Sequence, residues 1–147
     1  MKNNITIEQM DYNEQHKILD FIHQDEILQK TFGGNKDTRA RIARSDYVGL
    51  IKNDQVPIGF VLLVQSVIND AHEVDIGIFS KYRNKGYGTA ALNELKQIIQ
   101  NQNIKLELQV KKDNISAIRT AEKNDFLLNR TDENYNYYRD DISSKQK

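Results

Sequence analysis

The chain has 147 residues, with 21 Lys and Arg against 21 Asp and Glu and no cysteine. That length suits one domain over residues 1–147 with a solvated, disordered tail at 141–147, and the even charge argues against nucleic acid, which calls for a basic excess. Without cysteine there are no disulfides, thiol nucleophiles or thiolate metal sites, as expected of a cytoplasmic protein. The longest apolar run, Phe60 to Val64, is five residues, so no membrane span is expected, and Met1 to Asn4 leads directly into a strand pattern without a secretory or transit segment.

Ile5 and Ile7 alternate with polar neighbours as in a strand, and Ile18, Leu19, Phe21 and Ile22 predict a helix with Asp11 as a candidate N-cap. Asp25 to Ser45 is polar and interrupted by Gly33-Gly34, which predicts a short helix, a flexible joint and another helix. Tyr47 to Lys52 and Val56 to Ser66 are β-rich and joined by an Asn53-Asp54 turn, as in a hairpin. Glu73 to Phe79 is the fourth strand. After it, Ala91, Leu92, Leu95, Ile98 and Ile99 fall on one helical face. Leu106, Leu108 and Val110 alternate as the next strand. Ala117 to Asn124 reads as a helix, and Phe126 to Leu128 with Tyr135 to Arg139 as a closing hairpin. The order is α+β, without repeats or linkers. His16 and His23 lie seven residues apart with no third ligand beside them, so no metal site is expected.

The densest signal runs from Val74 to Leu92: a strand, a basic turn containing Gly86-Tyr87-Gly88, and a helix. Glycines at a helix start allow a ligand to approach the backbone, since neither has a Cβ. The first N–H groups of the helix lack internal partners, and its dipole adds positive potential. With Arg83 and Lys85 beside them, they form a cradle for a diphosphate. A P-loop is excluded because no lysine follows Gly88. Gly86-x-Gly88-x-x-Ala91 also matches the dinucleotide fingerprint, with Glu107 about twenty residues on. Against that reading, Ser80 to Lys85 separate the strand from the first glycine, and Glu107 lies inside a strand rather than at its end. A basic surface turn that binds nothing is the remaining alternative.

Arg83-Asn84-Lys85-Gly86-Tyr87-Gly88 resembles the Q/R-x-x-G-x-G/A signature of the GNAT superfamily of acyl-CoA N-acyltransferases. Ile78-Phe79-Ser80-Lys81-Tyr82-Arg83 is similar to that family's V-x-P-x-Y-R entry, with Ser80 in place of the proline. Asn114-Ile115-Ser116-Ala117 resembles its N-x-x-A helix opening, and Phe126 stands where its G-F ends. The likeness covers about Glu73 to Phe126. It implies a mixed, mostly antiparallel sheet with splayed fourth and fifth strands, flanked by helices. It further implies acetyl-CoA as cosubstrate, no metal, and a monomer or homodimer.

The resemblance lays the pantetheine arm against the backbone near Ile76, Gly77 and Ile78, in the manner of an added strand. It rests the diphosphate on amides from Arg83, Asn84, Lys85, Gly86, Tyr87, Gly88 and Thr89, and it assigns Asn114 to the pantetheine, unless that side chain only caps its helix. Gly77 suits close backbone approach; an ordinary bulge is the alternative. Strand alternation places Glu73, Asp75 and Gly77 on one face. An amine nucleophile must lose a proton, and the family's glutamate at the start of this strand matches Glu73, with Asp75 the second choice; a solvated carboxylate is the alternative. Ala121 stands where many members carry the tyrosine that protonates the departing thiolate, and Asp125 replaces a glycine. Tyr137 or Tyr138 are candidates to stand in. Glu107 and Gln109 share a polar strand face that could line the acceptor cavity, and Lys111-Lys112 reads as a solvated loop. The implied function is acetylation of a primary amine, of a small molecule first. A protein or peptide amine and a non-catalytic CoA-binding module are the alternatives.

Overall fold

Strand β3 (Val56–Gln65) is the spine of the molecule: every residue from Ile58 to Val64 is buried, because both faces of this strand are covered. In the computed structural model, residues 4–32, 36–66 and 70–140 are described, with backbone alone for 36 and 37. The expected joint at Gly33-Gly34 and the expected tail lie outside the described residues. Around β3 stand β1 (Ile5–Gln9), β2 (Ser45–Asn53), β4 (His72–Ile78), β5 (Leu106–Lys111), β6 (Leu127–Thr131) and β7 (Tyr135–Arg139). They form a seven-stranded sheet in the order β1-β2-β3-β4-β5-β7-β6. Every neighbouring pair is antiparallel except β4 and β5, which run parallel.

Alternation along β3 divides the core in two. Val61 and Leu63 pack with Val74, Ile78 and the apolar stripe Ala91, Leu92, Leu95 and Ile99 of α4 (Tyr87–Ile99). On the other face Phe60, Leu62 and Val64 pack with Ile18 and Ile22 of α1 (Lys17–His23) and Leu28 of α2 (Glu26–Phe32). Each fully buried leucine in these clusters contributes about 1.5–3 kcal/mol of transfer free energy. Helix α3 (Lys36–Ala43) follows α2, and α5 (Ile115–Lys123) follows β5. Among the described residues no helix is long and apolar enough to cross a membrane.

Two local expectations are corrected. Asp11 precedes a 3₁₀ turn, Tyr12–Glu14, and makes no side-chain cap; α1 begins only at Lys17. The last hairpin is longer than its apolar residues suggest, since β6 runs to Thr131 while Phe126 itself is buried in the core.

The pairing of β4 with β5 is brief. Only His72↔Leu106 and Glu73↔Glu107 are in register, after which β5 continues against β7 from Glu107 to Lys111. Bonds from Phe79 N to Ile58 O (2.9 Å) and from His72 N to Lys105 O (2.7 Å) fix the alternation along β4. Odd-numbered residues turn their backbone groups toward β3 and even-numbered ones toward β5. The N–H and C=O of Ile76 and Ile78 therefore face a gap where β5 offers no paired residue. The expected splay is present, and it opens a cleft in the middle of the sheet.

Candidate active site

After β4 the chain makes a 3₁₀ turn, Ser80–Tyr82, and enters α4 through two left-handed residues, Asn84 (φ 63°) and Gly86 (φ 81°). The first helical bond is Ala90 N to Gly86 O, so the amides of Tyr87, Gly88 and Thr89 have no intrahelical acceptor. A Cβ at Gly86 would meet nothing within 4 Å, and one at Gly88 would meet only Ile78 Cγ1 at 4.0 Å. The helix end is thus bare backbone facing open space. Among the described residues Nη1 of Arg83 is buried there without a hydrogen-bond partner, a costly arrangement unless an anion supplies the acceptor. Ser80 explains its own departure from proline: its N–H donates to Asp25 Oδ2 at 2.8 Å and its hydroxyl donates to Asp25 Oδ1. Proline could make neither bond. Asp25 Oδ1 also accepts from Ile27 N and Leu28 N at the start of α2, at 3.1 and 3.2 Å. One carboxylate fastens α2 to the turn before α4. Burial pushes the Asp25 carboxyl up, but these four bonds outweigh it and leave its pKa below the ordinary 3.8.

An open cleft of about 1690 Å³ runs from this turn, past the β4–β5 gap, to α2 and α3. Its lining includes Ile76, Ile78, Arg83, Asn84, Gly86, Tyr87, Gly88, Thr89 and Asn114 from the expected cofactor set, and Asp75 from the expected carboxylates. Gly77, Lys85 and Glu73 are not in the wall. Among the described residues the lining is strongly cationic: Lys30, Arg41, Arg83, Lys111, Arg119 and Lys123 face a single carboxylate, Asp75.

Strand alternation puts Glu73 and Asp75 on the α1–α3 face, and Arg41 of α3 lies across both. Its Nε donates to Asp75 Oδ2 at 2.6 Å, and Nη2 donates to Asp75 Oδ1 at 3.0 Å and to Glu73 Oε1 at 2.9 Å. Burial raises the Asp75 pKa, and the opposing pull of Arg41 does not fully offset it. Burial also works against the Arg41 cation, but its bonds to Asp75 and Glu73 prevail and raise its pKa.

Several expected roles meet a different environment. The space a Cβ would need at Gly77 is occupied by the Phe60 ring, 2.6 Å away, so this glycine admits a core side chain rather than a ligand. Asn114 Oδ1 accepts from Ala117 N at 3.1 Å and so caps α5, while also lining the cleft. Ala121 is fully buried in the α4-side core. Tyr138 is core as well. Tyr137 donates to Asp132 Oδ2 at 2.7 Å, a bond that raises its pKa, and neither tyrosine lines the cleft. Tyr82, Tyr87 and Tyr135 do. Glu107 is buried, with Oε1 3.6 Å from Arg130, whereas Gln109 lines the cleft. Lys111 belongs to β5 and lines it too, contrary to a solvated loop. Arg41 went unanticipated: its partner lies 34 positions away, and no local pattern links them.

The fold recurs among solved structures. RimL, a ribosomal alpha-N-protein acetyltransferase in complex with coenzyme A, is 14% identical with a TM-score of 0.71, and 92% of each chain is covered. Spermidine N-acetyltransferase from Vibrio cholerae, in complex with CoA and spermine, is 16% identical with a TM-score of 0.68 over 92% of each chain. An aminoglycoside acetyltransferase in complex with coenzyme A is 16% identical with a TM-score of 0.70, covering 92% of this chain and 94% of its own. Among curated protein sequences none matches. The profile of the Acetyltransferase (GNAT) family matches residues 6–126. With that match over most of its length, and with the split sheet and bare helix start described above, the chain belongs to the GNAT acetyltransferase family.

Proposed function

We propose that the protein transfers the acetyl group of acetyl-CoA to a primary amine of a small molecule. The observation that carries this reading is the cleft itself, where, among the described residues, a backbone cradle and six cations lead past an unpaired strand edge to one carboxylate. The amides of Tyr87 to Thr89 and the buried Nη1 of Arg83 suit a diphosphate. Lys111, Arg119 and Lys123 suit the remaining phosphate charge. The backbone groups of Ile76 and Ile78 can pair with the amides of an extended arm, as a strand would. Asn114 contributes through its helix cap at the rim. The bound donor supplies an acetyl group activated as a thioester.

The chain's own residues handle protons and position. An acceptor arriving as an ammonium must lose a proton before its nitrogen attacks, and Asp75 is the carboxylate in the cleft wall able to take it, directly or through water. Glu73 stands behind, sharing Arg41 and keeping that guanidinium in place. In the transfer a C–N bond forms and the C–S bond breaks; of two protons leaving the nitrogen, one ends on the thiol and one in solvent. With Ala121 buried and Tyr137 and Tyr138 elsewhere, water protonates the thiolate, which is a good leaving group without help. The chain works in a reducing compartment such as the cytoplasm, in keeping with its lack of cysteine.

The test is calorimetric titration with acetyl-CoA followed by thiol release against an amine panel. Micromolar binding with amine-dependent release is expected. Binding without release from any amine would favour a CoA-binding module, for which the Ala121 position is the motivating feature. No binding at millimolar acetyl-CoA would end the reading altogether.

A further inference from the structure

The α2–α3 side of the cleft, where the acceptor would enter, sets basic donors beside carboxylates that are already paired. Among the described residues its lining charges are Lys30, Arg41 and Asp75. The charge of Asp75 is engaged by the Arg41 fork through two bonds at 2.6 and 3.0 Å. Nε and Nη2 of Arg41 are committed to Asp75 and Glu73, while Nη1 has no partner among the described residues. Lys30 is exposed on α2 and makes no ion pair among the described residues. A bare ammonium or a polyamine entering here finds Asp75 and, behind it, Glu73 both paired with Arg41, and it leaves Arg41 Nη1 and Lys30 without an acceptor among the described residues. An amine that carries its own carboxylate supplies that acceptor. Its anion can accept from Arg41 Nη1 and Lys30, a charge-assisted contact of the kind a guanidinium favours. Its ammonium then sits against Asp75.

We propose that the acceptor is a zwitterion, a small primary amine with a carboxylate a few bonds away, and that Arg41, with Lys30, is the residue that selects it. This rests on the acetyl-transfer reading above and names the substrate class of that site. The carboxylate contact also orients the nitrogen: with one end fixed on α3, the amine is held beside the carboxylate that deprotonates it.

The experiment compares the common L-amino acids with their primary amides, spermidine and an acidic dipeptide, reading thiol release from acetyl-CoA by the purified full chain. At least one amino acid is expected to exceed its amide in kcat/KM by about tenfold or more, the worth of one charge-assisted contact. In Arg41→Gln that ratio should fall toward unity while acetyl-CoA affinity, measured by calorimetry, is kept. Arg41→Lys should keep part of it. Lys30→Gln, at an exposed position that the core does not need, should lower the ratio in a folded protein. Equal or better use of amides or spermidine overturns the proposal in the wild-type chain alone, whether or not the Arg41 variants fold. Preference for the dipeptide over every free amino acid overturns it in favour of a peptide terminus. If acetyl-CoA binds and no amino acid is acetylated, the zwitterion inference fails alone. If acetyl-CoA does not bind, the transfer reading has failed first and takes the inference with it.

Discussion

The two ends of the cleft are built by different means. At the α4 end the groups turned to the cleft are backbone amides, exposed because Gly86 and Gly88 have no Cβ and because a helix start cannot bond its own first N–H groups. At the α2–α3 end they are side chains, Arg41 and Asp75, brought together from positions 34 apart and held by packing on the far face of β4. The first kind of site is local and tolerates change elsewhere. The second depends on two helices docking correctly, and its charge can be altered by single substitutions. The glycines show the same division: Gly86 and Gly88 border open space, while a Cβ at Gly59 or Gly77 would strike Gly77 O at 2.2 Å or the Phe60 ring at 2.6 Å.

The comparison can be broken most directly at Asp75. Asp75→Asn is expected to lower kcat by between about 100- and 10,000-fold, the usual worth of a positioned base, with acetyl-CoA affinity unchanged. Glu73→Gln, outside the cleft wall, should cost less than about tenfold on the same scale. Because burial raises the Asp75 pKa, activity should fall with decreasing pH at a point above the ordinary 3.8 of an aspartate. A kcat–pH profile checks this; an unchanged acid limb in Asp75→Asn would remove Asp75 from the role.

At the opposite end, Gly88→Leu places a good helix former where only Ile78 is near. Its melting temperature should equal or exceed that of the wild type, since glycine costs a helix up to about 1 kcal/mol. Acetyl-CoA binding should weaken by about 100-fold, equivalent to about 2.7 kcal/mol. Calorimetry and thermal melting together separate the two effects; full affinity in this variant would show that no ligand lies on the helix start.

Gly77→Ala tests the packing glycines. Forcing a methyl against the Phe60 ring should destabilise the fold by about 1–3 kcal/mol, seen as a lower denaturant midpoint. The smallest effect is expected at the tether between the two ends. Asp25→Asn should cost about 1 kcal/mol or less, as a weakened helix cap and a weakened link to Ser80. The Asp25 pKa is depressed by folding, so its contribution is present above the unfolded value near 3.8 and is lost as pH falls through the lower folded value. Melting temperatures of wild type and Asp25→Asn should therefore differ at neutral pH and converge in acid.

What could be read from residue order was what depends on near neighbours. Alternation at Leu106, Leu108 and Val110 marks β5, the stripe from Ala91 to Ile99 marks α4, and glycine spacing marks the turn that opens it. Each follows from backbone periodicity or a missing Cβ, properties carried by a few consecutive residues. Asp25 bonding Ser80, Arg41 crossing to Glu73 and Asp75, and Phe60 filling the space at Gly77 were decided only when helices and strands docked. The charge of the cleft wall at that end is likewise a sum over α2, α3 and β4. A chain read in order shows what each segment prefers, but not which side chains will share a cavity, because that contact is made by packing across the sheet.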